Sequence, residues 1–235
     1  MAAELGTDVR YIKGIGEQRA KALGKLEIRT LRDLISYFPR AYEDRSVLRE
    51  IRDLRDGEAA CVSAMVAAPP TLSRIRKGLD LVKLRAVDAT GVLDITYFNQ
   101  SYLKDNLLPG ETYLFYGKAE GAGGRKKMVN PVAEKEGAGL LCGRIVPIYA
   151  LTAGVSQGLL IKSIVQGLAA CRDLLPDPLP DEVRQAHDLC HIGYAYDHIH
   201  FPESEETLSI ARRRLVFEEL FLLTLGLGKL RSRRS

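Results

Sequence analysis

From Gly57 the apolar residues stop recurring at three- and four-residue spacing and begin to alternate with polar ones, a period of two that lasts to residue 136. Such a period sends one face of a strand to a core and the other outside, so it excludes a helical architecture for this stretch. Five segments carry it: 59–67, 79–87, 92–98, 113–118 and 127–133. Pro69-Pro70 interrupts the end of the first, and Asp88-Ala89-Thr90-Gly91 and Gly121-Ala122-Gly123-Gly124 read as turns. Residues 101–107 have the spacing of one or two helical turns and lie between the third and fourth strands. Five strands with one intervening helix suit a small closed barrel, of which the OB-fold is the commonest of this size.

The third strand runs straight into that helix through Ile95-Thr96-Tyr97-Phe98-Asn99-Gln100-Ser101-Tyr102. Phe98 and Tyr102 flank the junction four residues apart, with Asn99 and Gln100 between them, so a tight turn sets both rings off one end of the sheet. Two rings on such a corner are either a local core or a platform on which bases stack. Two basic segments, Arg74-Ile75-Arg76-Lys77-Gly78 and Arg125-Lys126-Lys127, read as barrel loops. Singly they would be solvated hairpin tips; together with a Phe/Tyr pair they are candidate walls of a single-strand-binding face.

The flanks are helical, which makes the class α+β. Residues 9–24 form two short amphipathic pieces around Gly14-Ile15-Gly16, the helix-hairpin-helix pattern, with Lys13, Arg19 and Lys21 placed to hold backbone phosphates. Such a hairpin is equally often a packing unit that touches no nucleic acid. Thr30 caps the next helix with Asp33 three residues on, Leu31, Leu34, Ile35 and Phe38 form its apolar stripe, and Pro39 ends it. Residues 40–45 read as a charged connector braced by ion pairs. Helices are expected at 156–168 and 181–189, each opening at a polar or acidic residue. A last, largely apolar helix from 210 to 230 opens with Arg212-Arg213-Arg214 and needs cover, from the N-terminal helices or from a further domain. The expected segments are therefore 1–56, 57–136, 137–208 and 209–235.

Net charge is +4, with residues 137–208 acidic and the other three segments basic, so a nucleic-acid footprint belongs outside that acidic segment. The N-terminus lacks a secretory pattern and no apolar run reaches bilayer length, which points to a cytoplasmic protein without a membrane partner. Four widely spaced cysteines argue against a disulfide framework or a cysteine zinc site. His187, Cys190, His191, His198 and His200 match no common zinc template, so neither a metal nor a catalytic constellation is expected.

The order of motifs resembles the N-terminal region of the RecG family of bacterial ATP-dependent DNA helicases. The likeness runs through Lys-Gly-Ile-Gly-Glu-Gln-Arg-Ala (13–20), Thr-Leu-Arg-Asp-Leu-Ile-Ser-Tyr-Phe-Pro-Arg (30–40), Tyr-Glu-Asp-Arg-Ser (42–46), Tyr-Phe-Asn-Gln-Ser-Tyr-Leu (97–103), Pro-Gly-Glu (109–111), Val-Pro-Ile-Tyr-Ala-Leu-Thr (146–152), Val-Ser-Gln (155–157), Ile-His-Phe-Pro (199–202) and Ala-Arg-Arg-Arg-Leu-Val-Phe-Glu-Glu-Leu (211–220). Glu17, Glu27 and Ala41 depart from the family's usual proline, glycine and arginine. The resemblance implies an OB-fold wedge that splits branched DNA, such as stalled forks and Holliday-type junctions, in repair and recombination. It implies aromatics like Phe98 and Tyr102 capping unpaired bases, and a linker helix at 209–235 leading to a helicase motor in the same polypeptide. No phosphate loop occurs in the sequence, since Gly226-Leu227-Gly228-Lys229-Leu230 lacks both the spacing and the hydroxyl. ATP and Mg²⁺ are therefore expected only in the motor, and this chain, expected as a monomer, should not hydrolyse ATP alone. Two other readings stand beside this one. One is a free-standing OB protein binding single-stranded DNA or tRNA; the other is a zinc-dependent enzyme built on the His/Cys cluster.

Overall fold

The computed structural model describes residues 4–121 and 125–232. In chain order its helices and strands are α1 (Glu17–Gly24), α2 (Leu31–Ile35), β1 (Ala41–Asp44), β2 (Ala59–Val66), β3 (Thr71–Arg76), β4 (Leu79–Val87) and β5 (Val92–Phe98). Then come α3 (Leu103–Asn106), β6 (Thr112–Glu120), β7 (Arg125–Val129), β8 (Val132–Lys135), β9 (Ile145–Ile148), α4 (Gln157–Cys171), α5 (Asp181–Ala186), α6 (Ile192–His200) and α7 (Glu205–Ser232). They group into two units, one of residues 44–146 and one joining 1–43 to 147–235, so the four segments read from sequence regroup as two bodies.

In the first body β2, β4, β5, β7 and β6 hydrogen-bond in that order, and β6 returns to β2, closing a five-stranded barrel. All seams are antiparallel except β5–β7, which is parallel with Ile95 opposite Met128. The alternation read from sequence fills the interior. Val62, Val82, Leu84, Ala86, Leu93, Ile95, Tyr97, Phe115, Ala119 and Met128 form one buried cluster, to which α3 adds Leu103. At up to roughly 3 kcal/mol for each large side chain removed from water, this cluster is the main stabilising term of the barrel.

Three expectations need correction here. Residues 71–76 are a strand, β3, laid along β4 with a bulge between Arg74 and Arg76, so Arg74, Ile75 and Arg76 are strand residues and only Lys77-Gly78 turn. Arg125, Lys126 and Lys127 lie within β7, not on a loop. The expected strand 127–133 is two strands broken at Asn130-Pro131, because proline cannot donate to a ladder. Of the expected turn at 121–124, Ala122, Gly123 and Gly124 lie outside the described residues. At residues 88–91 the turn forms around the Asp88 carboxylate, which accepts from the backbone of Thr90 and Gly91.

The connector expected at 40–45 is ordered and contains a strand: β1 pairs with β9, and Arg45 stacks its guanidinium over Tyr116 at 4.0 Å while donating to Leu141 O at 2.8 Å. Cys61 and Cys142, far apart in sequence, share a small buried cluster with Leu114, and all four cysteines are free.

In the second body Thr30 and Asp33 form the expected capping box on α2. Leu31, Leu34 and Ile35 are buried as expected, but Phe38 lies beyond the end of α2, partly exposed, and packs edge-on to Tyr196. α4 crosses α2 so closely that a Cβ on Gly167 would lie 3.1 Å from Ile35. α4 and α5 start where the polar residues placed them, and α6 was not foreseen. Early in α7 Arg214 is fully buried, bonded to Asp177 and Glu218; beyond it Val216, Leu220, Leu223 and Leu227 are exposed. No helix among the described residues is long and apolar enough to cross a membrane.

His200 is wholly buried. Its Nε2–H donates to Ile35 O at 2.7 Å, so Nδ1 must accept from the Tyr149 hydroxyl at 2.8 Å. Burial pushes its pKa from 6.5 down to about 4. The folded state keeps the ring neutral while the unfolded chain takes up a proton near pH 6.5. Stability from this site is therefore full above that pH and is lost as pH falls from about 6.5 to about 4, by roughly 3 kcal/mol in all. Urea titrations across that window should show the loss in the parent chain and a flatter profile in His200→Gln. In the barrel, the Tyr97 hydroxyl is buried without a hydrogen-bond partner among the described residues. Tyr97→Phe should therefore leave stability unchanged or raise it by about 1 kcal/mol in the same assay.

Candidate nucleic-acid interface

Along β5 the side chains alternate strictly: Leu93, Ile95 and Tyr97 point inward, and Asp94, Thr96 and Phe98 point outward. Tyr97 therefore takes the core position. Phe98 is 40% exposed and Tyr102 is 59% exposed, so neither ring belongs to the core.

Two asparagines make the corner between β5 and α3. Asn99 sits at φ +55°, a left-handed backbone that asparagine accepts more readily than most residues, and it turns the chain out of the strand. Its N–H donates to Asp80 O at 2.8 Å, and Asp80 N–H donates back to Asn99 Oδ1 at 3.0 Å, which ties the corner to the start of β4. Asn130, at φ +47°, closes the other side. Its Oδ1 accepts from Phe98 N–H at 2.8 Å and from Gln100 Nε2 at 3.3 Å, and Gln100 Oε1 accepts from the Tyr102 hydroxyl at 3.1 Å. Two rings thus stand on a backbone fixed on both flanks.

The basic residues divide between two places. Arg74 joins the corner, with its Nε 3.1 Å from Asp80, the residue that holds Asn99; Arg76 and Lys77 continue to the tip of the β3–β4 hairpin and are exposed. Arg125 and Lys127 pair opposite Val92 and Asp94. At 3.3 Å per residue these positions lie roughly 20 and 13 Å back along β5 from Phe98, so the two basic segments do not converge on the rings. Between them the outer face of β4, β5 and β7 is a cleft of about 710 Å³ lined in part by Thr71, Lys83, Arg85, Asp94, Thr96 and Lys127. Lys83 and Arg85 were missed from sequence, although the alternation that sends Val82, Leu84 and Ala86 inward obliges them to face out. Arg85 is held by Asp94 at 3.2 Å. Lys83 and Lys127 form no ion pair among the described residues.

Lys13 and Arg19 belong to the other body. The first piece of the hairpin there is one 3₁₀ turn, Val9–Tyr11, and α1 follows Gly16. Gly14, at φ +92°, makes the bend, and Arg19 Nη1 donates to Gly14 O at 2.6 Å, so this arginine, expected to hold a phosphate, braces the turn. Lys13 is exposed. The histidines have separate structural tasks. His191 caps α6 through Gly193 N–H, His198 stacks on Tyr194, His187 lies against Phe217, and His200 is in the core.

A family model of the RecG wedge domain matches residues 8–171, more than half of the chain. The chain belongs to the RecG wedge domain family. It is 36% identical over 238 residues to the ATP-dependent DNA helicase RecG of Thermotoga maritima, covering 98% of this chain and 30% of that protein. With the Bacillus subtilis protein of the same name it shares 31% identity, covering 96% of this chain and 32% of the relative. A solved structure described as RecG bound to a three-way DNA junction superposes with a TM-score of 0.84 at 32% identity, covering 100% of this chain and 32% of that one. The chain spans about a third of the length of the curated relatives it matches.

Because Phe98 and Tyr102 are surface groups, their removal is cheap. Phe98→Ala and Tyr102→Ala should each cost no more than about 1 kcal/mol in urea unfolding, whereas Tyr97→Ala, one residue away, should cost about 3–5 kcal/mol. Equal losses at positions 97 and 98 would place Phe98 in the core.

Proposed function

We propose that the barrel body grips branched DNA at the point where strands part, with Phe98 and Tyr102 as the surfaces that replace the stacking a base pair loses there. The observation carrying this reading is a pair of exposed aromatic rings on a corner clamped from two sides, at one end of a cleft bearing Lys83, Arg85 and Lys127. The solved RecG structure bound to a three-way junction supports it, since that chain shares this fold over its whole matched length.

The energies are of matching size. Separating one base-pair step forfeits about 1.4 kcal/mol of stacking, and a base laid on an aromatic ring recovers roughly 1–3 kcal/mol. Two rings can hold one splayed pair at little net cost, but they cannot unzip a run of pairs. The relatives are named ATP-dependent helicases. The proposal therefore gives this chain the holding step and assigns ATP, Mg²⁺ and movement along duplex to a motor carried elsewhere in the same polypeptide. Remodelling of stalled forks and junctions in repair and recombination would be the joint product, in the cytoplasm. Lys83, Lys127, Arg74, Arg76, Lys77, Arg125 and Lys126 would hold phosphates without reading sequence, each contact adding about one to the salt slope of binding. Asn99 and Gln100 would shape the corner that carries the rings. Lys13 and Arg19 supply a second, weaker basic site, Arg19 being already engaged with Gly14.

Fluorescence anisotropy on a three-way fork, a blunt duplex and a plain oligonucleotide tests the reading. Phe98→Ala or Tyr102→Ala should weaken fork binding about tenfold and duplex binding little. Loss in equal proportion on both would refute the stacking role, and equal affinity of the parent chain for fork and oligonucleotide would favour a plain single-strand binder.

A further inference from the structure

We propose that Asn130, remote in sequence from the β5–α3 corner, is the positioning residue for both rings; this rests on the wedge reading above. The parallel seam between β5 and β7 sets the geometry. Asn130 N–H donates to Thr96 O at 2.8 Å, a regular rung of that ladder. In a parallel pair the next rung would run from Phe98 N–H to the carbonyl of residue 130. The left-handed backbone of Asn130 turns that carbonyl away, and the side-chain amide oxygen takes its place, accepting from Phe98 N–H at 2.8 Å.

The orientation of the amide follows from its partners. Phe98 N–H can only donate, so the atom facing it is Oδ1, and the same oxygen receives Gln100 Nε2 at 3.3 Å. That turns Gln100 Oε1 toward the Tyr102 hydroxyl at 3.1 Å. One oxygen thus fixes the backbone that carries Phe98 and, through Gln100, the ring of Tyr102.

Asn130 is itself held. Pro131, which follows it, is buried against β6 so closely that a Cβ on Gly117 would lie 3.0 Å from Pro131 Cβ and 3.2 Å from its Cα. The relay of Asn130, Gln100 and Tyr102 therefore starts from a rigid base. It ends on an exposed ring, as expected for a device that limits where that ring can stand.

The test separates position from mere folding. Asn130→Gly keeps the left-handed backbone and removes the acceptor. Asn130→Asp keeps both, since a carboxylate oxygen accepts the same two hydrogen bonds and aspartate tolerates this φ. The readouts are the ratio of fork to duplex affinity and the fluorescence of a 2-aminopurine placed at the branch, which reports stacking on the rings. Asn130→Gly should lower the ratio about tenfold, the scale set by releasing one or two hydrogen bonds, and raise the 2-aminopurine emission. Asn130→Asp should restore both. Gln100→Glu, a change outside the barrel core that can no longer donate to Asn130, should also lower the ratio in part, which keeps the test decisive should Asn130→Gly fold poorly. In a Tyr102→Phe background, with the last link already cut, the glycine effect should shrink. An unchanged ratio in Asn130→Gly and in Gln100→Glu, while Phe98→Ala and Tyr102→Ala do lower it, overturns the inference alone. No effect from the two ring variants overturns the wedge reading itself.

Discussion

The parallel seam between β5 and β7 is the contact on which the barrel depends. Four of the five seams are antiparallel pairings, but β5 and β7 run parallel and are separated by α3 and the whole of β6, so their pairing, like that of β2 with β6, is non-local and removes a pair of open edges. Without it the sheet would expose the ladders of β5 and β7, and the inward side chains of Leu93, Ile95, Tyr97 and Met128 would lose their cover. The same seam places the residue after β7 beside the residue that ends β5. A structural requirement, closure, thereby brings Asn130 to the corner where the rings stand.

The barrel strands were legible because each buries one face, and burial on one face imposes a period that a sequence cannot hide. β3 was not legible for the converse reason. All six of its residues are exposed, so nothing in its side chains alternates, and only the hydrogen bonds to β4 make it a strand. Arg74, Arg76 and Lys77 thus read as a loop when most of the segment is ladder. The break at Asn130-Pro131 did leave a signal, since a proline inside a strand run marks an interruption; reading 127–133 as continuous passed over it. Phe98 and Tyr102 were visible as a pair, but their exposure was not, because spacing alone suits a local core as well as a surface. What decides it is parity: Tyr97 takes the inward position and Phe98 must then face out. The partnership of Phe98 with Asn130 joins residues 32 apart, and the meeting of Cys61 with Cys142 is likewise made only by folding, so no periodicity could announce either.

Charge placement shows a similar division. Arg74 and Arg85 each have a carboxylate partner, Asp80 and Asp94, exposed enough that solvent screens the pair and leaves the guanidinium available to a phosphate. Asp80 and Asp94 themselves sit on the outer face of the barrel, and each would repel a polyanion if left bare. Pairing Asp80 with Arg74 and Asp94 with Arg85 suppresses that repulsion, and Lys83 and Lys127 outweigh Glu120, the other acid that lines the cleft. The face can then attract backbone along its length and still be discontinuous, with no base-reading geometry required of it.

A stacking platform gains from rigidity in a way that a phosphate grip does not. Lysines on hairpin tips can follow a moving strand, because a point charge in solvent is tolerant of position. A ring must lie parallel to the base it covers, and freezing a rotamer-rich side chain or a loop at the moment of binding costs about 0.5–1.5 kcal/mol for each group ordered. That cost is comparable with the 1–3 kcal/mol a stacked base returns, so rings on an unclamped loop would hold a splayed pair at little or no advantage. The hydrogen bonds from Asn99 to Asp80 and from Asn130 to Phe98 and Gln100 incur the ordering cost during folding, where the barrel core offsets it. On the proposed stacking role, selectivity for a branch over duplex would then depend less on having two aromatic residues than on having them immobile. On that role, a change at Asn130 is therefore expected to reach the same quantity as a change in the rings.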